Sequence, residues 1–161
     1  MYKVFSKNNI IPDDVADQIY SFMVDNYCNR EEYKNRPRSD FDSKEKHDQW
    51  LNMLRTFDDY YTLVYYQDNI PVGFIAYNII DRGLCLCEVQ IKEEYQSKYG
   101  ILKKMLKATI NESSNYKYNN VVGGISNNKH SSDVFTHIGM VNTEKSIYEI
   151  SLSDLLKWIN N

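Results

Sequence analysis

The sequence predicts an α/β (α+β) fold: a mixed sheet flanked by helices, in the order β-α-α-β-β-β-α-β-α-β. Three observations lead there. Short runs rich in Val, Ile and Tyr are interspersed with longer stretches whose apolar residues recur every three or four positions. Turn-forming residues such as Asp68, Asn69, Gly83, Gly100 and Gly139 punctuate them. Residues 84–110, LCLCEVQIKEEYQSKYGILKKMLKATI, read as a buried strand, a polar turn and an amphipathic helix, around which the rest can be arranged.

Residues 2–5 suit a short strand and residues 8–12 a turn. Asp13 or Asp14 then caps a helix whose Val15, Ile19, Phe22 and Met23 form a core stripe ending near Tyr27. Residues 28–41 are polar, and Pro37 breaks any helix there, so they form a loop able to shape a substrate mouth. Its Glu31 and Glu32, with Asp40 and Asp42, mildly favour a cationic substrate. Asp42 and Glu45 resemble a capping box opening a second helix with Trp50, Leu51, Leu54 and Phe57 on one face. Residues 60–67 and 72–80, joined by 68–71, read as an antiparallel hairpin.

Residues 84–91 look like a strand buried on both faces, interrupted by Glu88. A buried carboxylate is costly unless paired, hydrogen-bonded or kept for chemistry, so Glu88 is either a partnered structural residue or a base in a cleft. From Ile101 onward Leu102, Met105, Leu106 and Ile110 share a helix face, with Lys103, Lys104 and Lys107 toward water. That leaves Gln96, Ser97, Lys98, Tyr99 and Gly100 as a strand-to-helix turn whose free N–H groups suit a phosphate or pyrophosphate. Residues 121–125 form a buried strand in which Gly123 and Gly124 allow close approach of a backbone or ligand. A helix over 131–138 is closed by Gly139, residues 146–152 are a last strand, and Ser153 caps a terminal turn.

At 161 residues the chain reads as one domain, residues 1–161, with no linker composition inside it. A net charge of −3 provides no overall field toward nucleic acid or anionic membrane. No apolar run approaches the ~20 residues of a membrane span and the N-terminus lacks a signal-peptide core, so the expectation is a cytoplasmic protein. Cys28, Cys85 and Cys87 offer no CxxC pair or zinc spacing; they are read as reduced, packed thiols, with no metal site expected.

Four separated segments resemble the GNAT family of acetyl-CoA-dependent N-acetyltransferases. DNIPVGFIAYNI is similar to that family's second-to-third strand connection, and EVQIKEEYQSKYGILKKML to its E/D-L-x-V strand end followed by P-x-Y-(R/Q)-x-x-G-x-G and a Leu-rich helix. NNKHSSDVFTHIGM resembles its N-x-x-A/S-x-x-x-Y-x-x-x-G-F element, with Asn128, Ser131 and Gly139 matching, and SIYEISL fits its final strand. The chain also departs from the pattern. Counted from Gln96, the signature glycines fall on Tyr99 and Ile101; registered on the helix stripe, they fall on Gly100 and Leu102. The tyrosine that protonates the leaving thiolate in many members corresponds to Phe135.

The resemblance implies a mostly antiparallel sheet in which the strands ending at Ile91 and Ile125 splay apart. It implies acetyl-CoA as co-substrate, its pantetheine along Val89, Gln90 and Ile91 and its pyrophosphate on the turn from Gln96 through Ser97, Lys98, Tyr99, Gly100, Ile101 and Leu102, with Asn128 and Phe135 completing the site. Ile91 N–H becomes an oxyanion donor and Glu88 the general base, directly or through water. The acid is Tyr99, His130, His137 or water. The implied reaction is acetyl transfer to a primary amine, either a small amine or a protein lysine or N-terminus, by a monomer or homodimer. The alternatives are a non-catalytic CoA-sensing or protein-binding module, motivated by Phe135 and the missing signature glycine, and an aminoacyl-tRNA-acetylating toxin, which the acidic balance disfavours.

Overall fold

The computed structural model describes residues 1–124 and 129–161; the expectations for Ile125, Asn127 and Asn128 lie outside the described residues. Its elements are β1 (Tyr2–Phe5), α1 (Asp13–Cys28), α2 (Lys44–Thr56), β2 (Tyr60–Gln67), β3 (Ile70–Ile80), β4 (Gly83–Ile91), α3 (Ile101–Glu112), β5 (Asn120–Gly124), α4 (Lys129–Ile138), β6 (Val141–Glu144), β7 (Ile147–Ser151) and α5 (Leu152–Asn160). The expected order of strands and α-helices holds, with β6 added, a full helix α5 where a terminal turn was expected, and short 3-10 turns at Arg38–Asp40 and Glu93–Tyr95. Every side chain of β6 is exposed, so it has no apolar pattern to betray it.

The strands form one sheet, β1-β2-β3-β4-β5-β7-β6, in which all neighbours are antiparallel except β4 and β5. Alternation along the strands feeds two cores. One face buries Leu63, Ile75, Leu84 and Leu86 against Met105 and Leu106 of α3 and Leu155 of α5. The other buries Val64, Phe74 and Ala76 against Ile19, Phe22 and Met23 of α1 and Leu54 of α2.

Local signals were shifted by a residue or two. Pro12, not an aspartate, sits at the N-cap of α1, leaving Asp13 and Asp14 in the first turn where they complement the helix dipole. Ser43 caps α2 by accepting from Lys46 N–H, so the expected Asp42/Glu45 box does not form. Likewise Ser151, not Ser153, caps α5 through Asp154 N–H. Asp68 and Asn69, both left-handed at φ 51° and 63°, make the β2–β3 turn with the twist a two-residue hairpin needs.

The decisive irregularity lies in β4. Ala76 pairs with Glu88 but Tyr77 pairs with Leu86, which makes Cys87 the extra residue of a β-bulge. Before the bulge Leu84 and Leu86 face the α3 side; beyond it Val89 and Ile91 take over that face, while Glu88 and Gln90 turn toward α1. The expected packing of all three thiols is corrected here: as the bulge residue, Cys87 is exposed, with its Sγ 3.9 Å from that of Cys85.

Candidate active site

β4 and β5 run parallel only over Leu84–Val121, Cys85–Val122 and Leu86–Gly123, then separate. Beyond Leu86 the β5-side edge of β4 lines a cleft of about 1250 Å³, bounded by the end of α1, the turn before α3, and α4. Lys92 N–H donates to Val72 O of β3, so strand alternation turns the N–H groups of Ile91 and Val89 the other way, into the cleft. An extended amide-bearing ligand could lie there as an additional strand.

Glu88 stands on the α1 side of this cleft. Tyr27 Oη donates to its carboxylate, 2.9 Å from Oε1 and 3.1 Å from Oε2, and Gln90 Nε2 donates to Oε1. Burial pushes the Glu88 pKa above the ordinary carboxylate range; the donors from Gln90 and Tyr27 and the nearby charge of Arg30 oppose that rise without cancelling it. Burial, together with the Glu88 charge, also pushes the Tyr27 phenol well up, which keeps it a donor at neutral pH.

The neighbours of Glu88 are fixed in turn. Gln90 is buried, and its Oε1 accepts from Asn26 Nδ2 at 2.9 Å. Asn26 Nδ2 also donates to Ile91 O at 2.8 Å, as does Gln96 Nε2 at 2.9 Å. Gln90 and Gln96, expected along a ligand, line the cleft and brace its edge with their side chains. Tyr27, Asn26 and Arg30 were not anticipated. The available signal was Asn26, a polar residue on the apolar stripe of α1 that has to find partners once buried.

The turn before α3 fits an anion. Ser97, Tyr99 and Gly100 are left-handed, at φ 58°, 58° and 61°, and the N–H groups of Ser97, Tyr99, Gly100, Leu102 and Lys103 make no hydrogen bond among the described residues. Such a nest at a helix N-terminus provides converging donors and positive potential. Gly100 is the N-cap of α3, which agrees with registration on the helix stripe; Tyr99, the glycine position when counting from Gln96, is left-handed as well. Ile101 gives the site little: its side chain is in the core and its N–H bonds Lys98 O at 3.4 Å. Lys98 lines the cleft, as does Lys103, which sits over the Trp158 ring at 4.9 Å.

The acid candidates separate. Tyr99 is 60% exposed and off the cleft lining. His137 packs edge-on against Trp158, and His130 borders the cleft with its pKa lowered by burial and by Arg30, so it is neutral near pH 7. Phe135 is buried, its ring tip filling the space a Cβ on Gly123 would take and its face tilted against Tyr148. It shapes the cleft wall and has no proton to give.

These features define an acyltransferase once set beside known proteins, for an acetyltransferase (GNAT) domain matches residues 19–153. The chain belongs to the GNAT family of acetyltransferases. Solved structures share its fold at low identity. An acetyltransferase from Thermus thermophilus superposes with TM-score 0.69 at 12% identity, over 94% of this chain and 97% of that one. A PaiA N-acetyltransferase from Thermoplasma acidophilum, in complex with coenzyme A, gives 0.60 at 18%, over 94% and 99%. An aminoglycoside acetyltransferase from an uncultured soil metagenomic sample, in complex with sisomicin, gives 0.62 at 14%, over 91% and 90%. No curated protein sequence matches the chain. Among the described residues no helix is long and apolar enough to cross a membrane.

Proposed function

We propose that residues 1–161 act as a single cytoplasmic N-acetyltransferase domain, monomeric or homodimeric, that moves an acetyl group from acetyl-CoA to a primary amine by direct attack. The observation that carries this is Glu88: a carboxylate with a raised pKa, held by Tyr27 and Gln90 beside the open edge of β4. The residues fit the co-substrate: the edge from Val89 to Ile91 suits the pantetheine arm, and the free N–H groups around Gly100, with Lys98 and Lys103, suit its phosphates. Acetyl-CoA, when bound, supplies an activated acyl thioester.

Glu88 takes the proton of the incoming ammonium, directly or through water. An unperturbed amine has a pKa near 10.4 and is almost wholly protonated at pH 7, so a base with a pKa raised toward neutrality is better matched than an ordinary carboxylate. Ile91 N–H, on the open edge of β4, would stabilise the charge that develops on the thioester oxygen when the co-substrate is bound. Phe135 has no proton to give and His130 is neutral, which leaves thiolate protonation to water; a leaving thiol with a pKa near 8.5 needs little help.

The test is acetyl-CoA titration by thermal shift, followed by thiol release against small amines, lysine peptides and free N-termini. Saturable binding with amine-dependent release is expected. Tight binding with no release for any acceptor would favour a non-catalytic CoA-binding module, and no binding at millimolar acetyl-CoA would overturn both.

A further inference from the structure

Among the described residues, Arg30 is the arginine that no carboxylate holds. The chain has five arginines. Arg36, Arg38, Arg55 and Arg82 are each held by a carboxylate, of Asp40 at 2.9 Å, Asp25 at 2.9 Å, Asp13 at 2.6 Å and Glu149 at 2.7 Å. Arg30 borders the cleft and makes no hydrogen bond or ion pair through its side chain among the described residues. Its guanidinium is nevertheless held in place, 4.5 Å from the centre of the Tyr27 ring. The same tyrosine donates to Glu88. One ring thus fixes the proposed base and a free five-donor fork within the span of a small molecule.

The acids expected to draw a cationic acceptor are engaged. Glu31 pairs with Lys34, Asp40 with Arg36 and Asp42 with Arg38, while Glu32 accepts from Lys129 N–H and Glu93 from Asn29 Nδ2. Of the four expected acids three are matched by a cation and Glu32 keeps its charge, whereas the Arg30 donors stay unbonded among the described residues.

We propose that Arg30 reads a carboxylate on the acceptor, which makes the substrate class a free amino acid or amino-acid-like acid rather than a polyamine or amino sugar. This rests on the acetyl-transfer reading, since it takes the amine end to lie at Glu88. A guanidinium binds a carboxylate through two parallel N–H···O bonds, so Arg30 would hold one end while the amine reaches the base.

The experiment is calorimetric titration of the CoA-loaded protein with the twenty standard amino acids and, in parallel, their C-terminal amides, followed by thiol release with the same panel. At least one acid should bind about 10- to 100-fold more tightly than its amide, the range for a charge-assisted pair. Arg30→Ala should abolish that preference, and Arg30→Lys should restore it only in part, because an ammonium lacks the fork. Amides binding as well as their acids, or no amino acid binding while polyamines do, would overturn the assignment without needing a variant. Acid-selective, Arg30-dependent binding with no thiol release would leave this assignment standing and remove the acetyl-transfer reading instead.

Discussion

The hydroxyl of Tyr27 lies 2.9 and 3.1 Å from the two carboxylate oxygens of Glu88, joining the last turn of α1 to the bulged end of β4 across 61 residues of sequence. That contact ties the charge state of the proposed base to a neighbour that stays protonated, and it leads to the first two predictions.

Replacing Glu88 by Gln keeps the shape and removes the base. Amine-dependent kcat/KM should fall about 10²- to 10⁴-fold with acetyl-CoA binding retained, and the acidic limb of the pH profile should vanish. Stability should move oppositely. The folded pKa is raised, so ionised Glu88 opposes folding; its contribution is fully favourable below the ordinary Glu value and is lost as pH rises through the raised one. Urea unfolding should therefore show Glu88→Gln gaining on the parent between pH 4 and 8. Equal stability at both pH values would contradict the buried, raised carboxylate.

Tyr27→Phe deletes a donor that favours the ionised carboxylate, which should push the Glu88 pKa further up. The acidic limb should shift to higher pH, with activity lost most at the acidic end of the profile and recovered toward the alkaline end. A uniform loss at every pH would show that Tyr27 matters only for packing.

The turn before α3 offers a paired test. Gly100 is left-handed and a Cβ there meets nothing within 4 Å, so Gly100→Ala should carry only the backbone cost, about 1 kcal/mol, and weaken acetyl-CoA binding by loosening the nest. Tyr99 has the same handedness without glycine's freedom, so Tyr99→Gly should bind the coenzyme at least as well as the parent. Thermal shift with and without coenzyme measures both.

Restoring the family's tyrosine at Phe135 should fail. Phe135 is buried, with its ring packed face-on over Gly123 and tilted against Tyr148, so an added hydroxyl enters a wall that is already filled. Phe135→Tyr should lose about 1–3 kcal/mol by overpacking, without a gain in kcat. A stable, faster variant would show that the wall yields and that an acid was missing.

The chain itself set out the element order, the Gly-bearing turn before α3 and the suspect carboxylate at Glu88, because periodicity, turn chemistry and a charge inside an apolar run are local properties. It also signalled trouble at residues 96–102, where two registrations competed; the structure makes both Tyr99 and Gly100 left-handed, which neither registration anticipated. Strand β6 carried no signal, as its side chains face water and its place is set by pairing with β7.

What only the tertiary structure decided is the direction of side chains beyond a bulge and the company they keep. Read as a regular strand, β4 would put Glu88 on the same face as Leu84 and Leu86; the extra residue, Cys87, turns it toward α1 and into reach of Tyr27. Asn26 and Tyr27 come from the last turn of a helix far earlier in the chain and Arg30 from just beyond it, and no spacing within either segment encodes their meeting with Glu88. The physical reason is that a bulge changes facing by one residue at negligible sequence cost, while pairing across a sheet depends on every strand between.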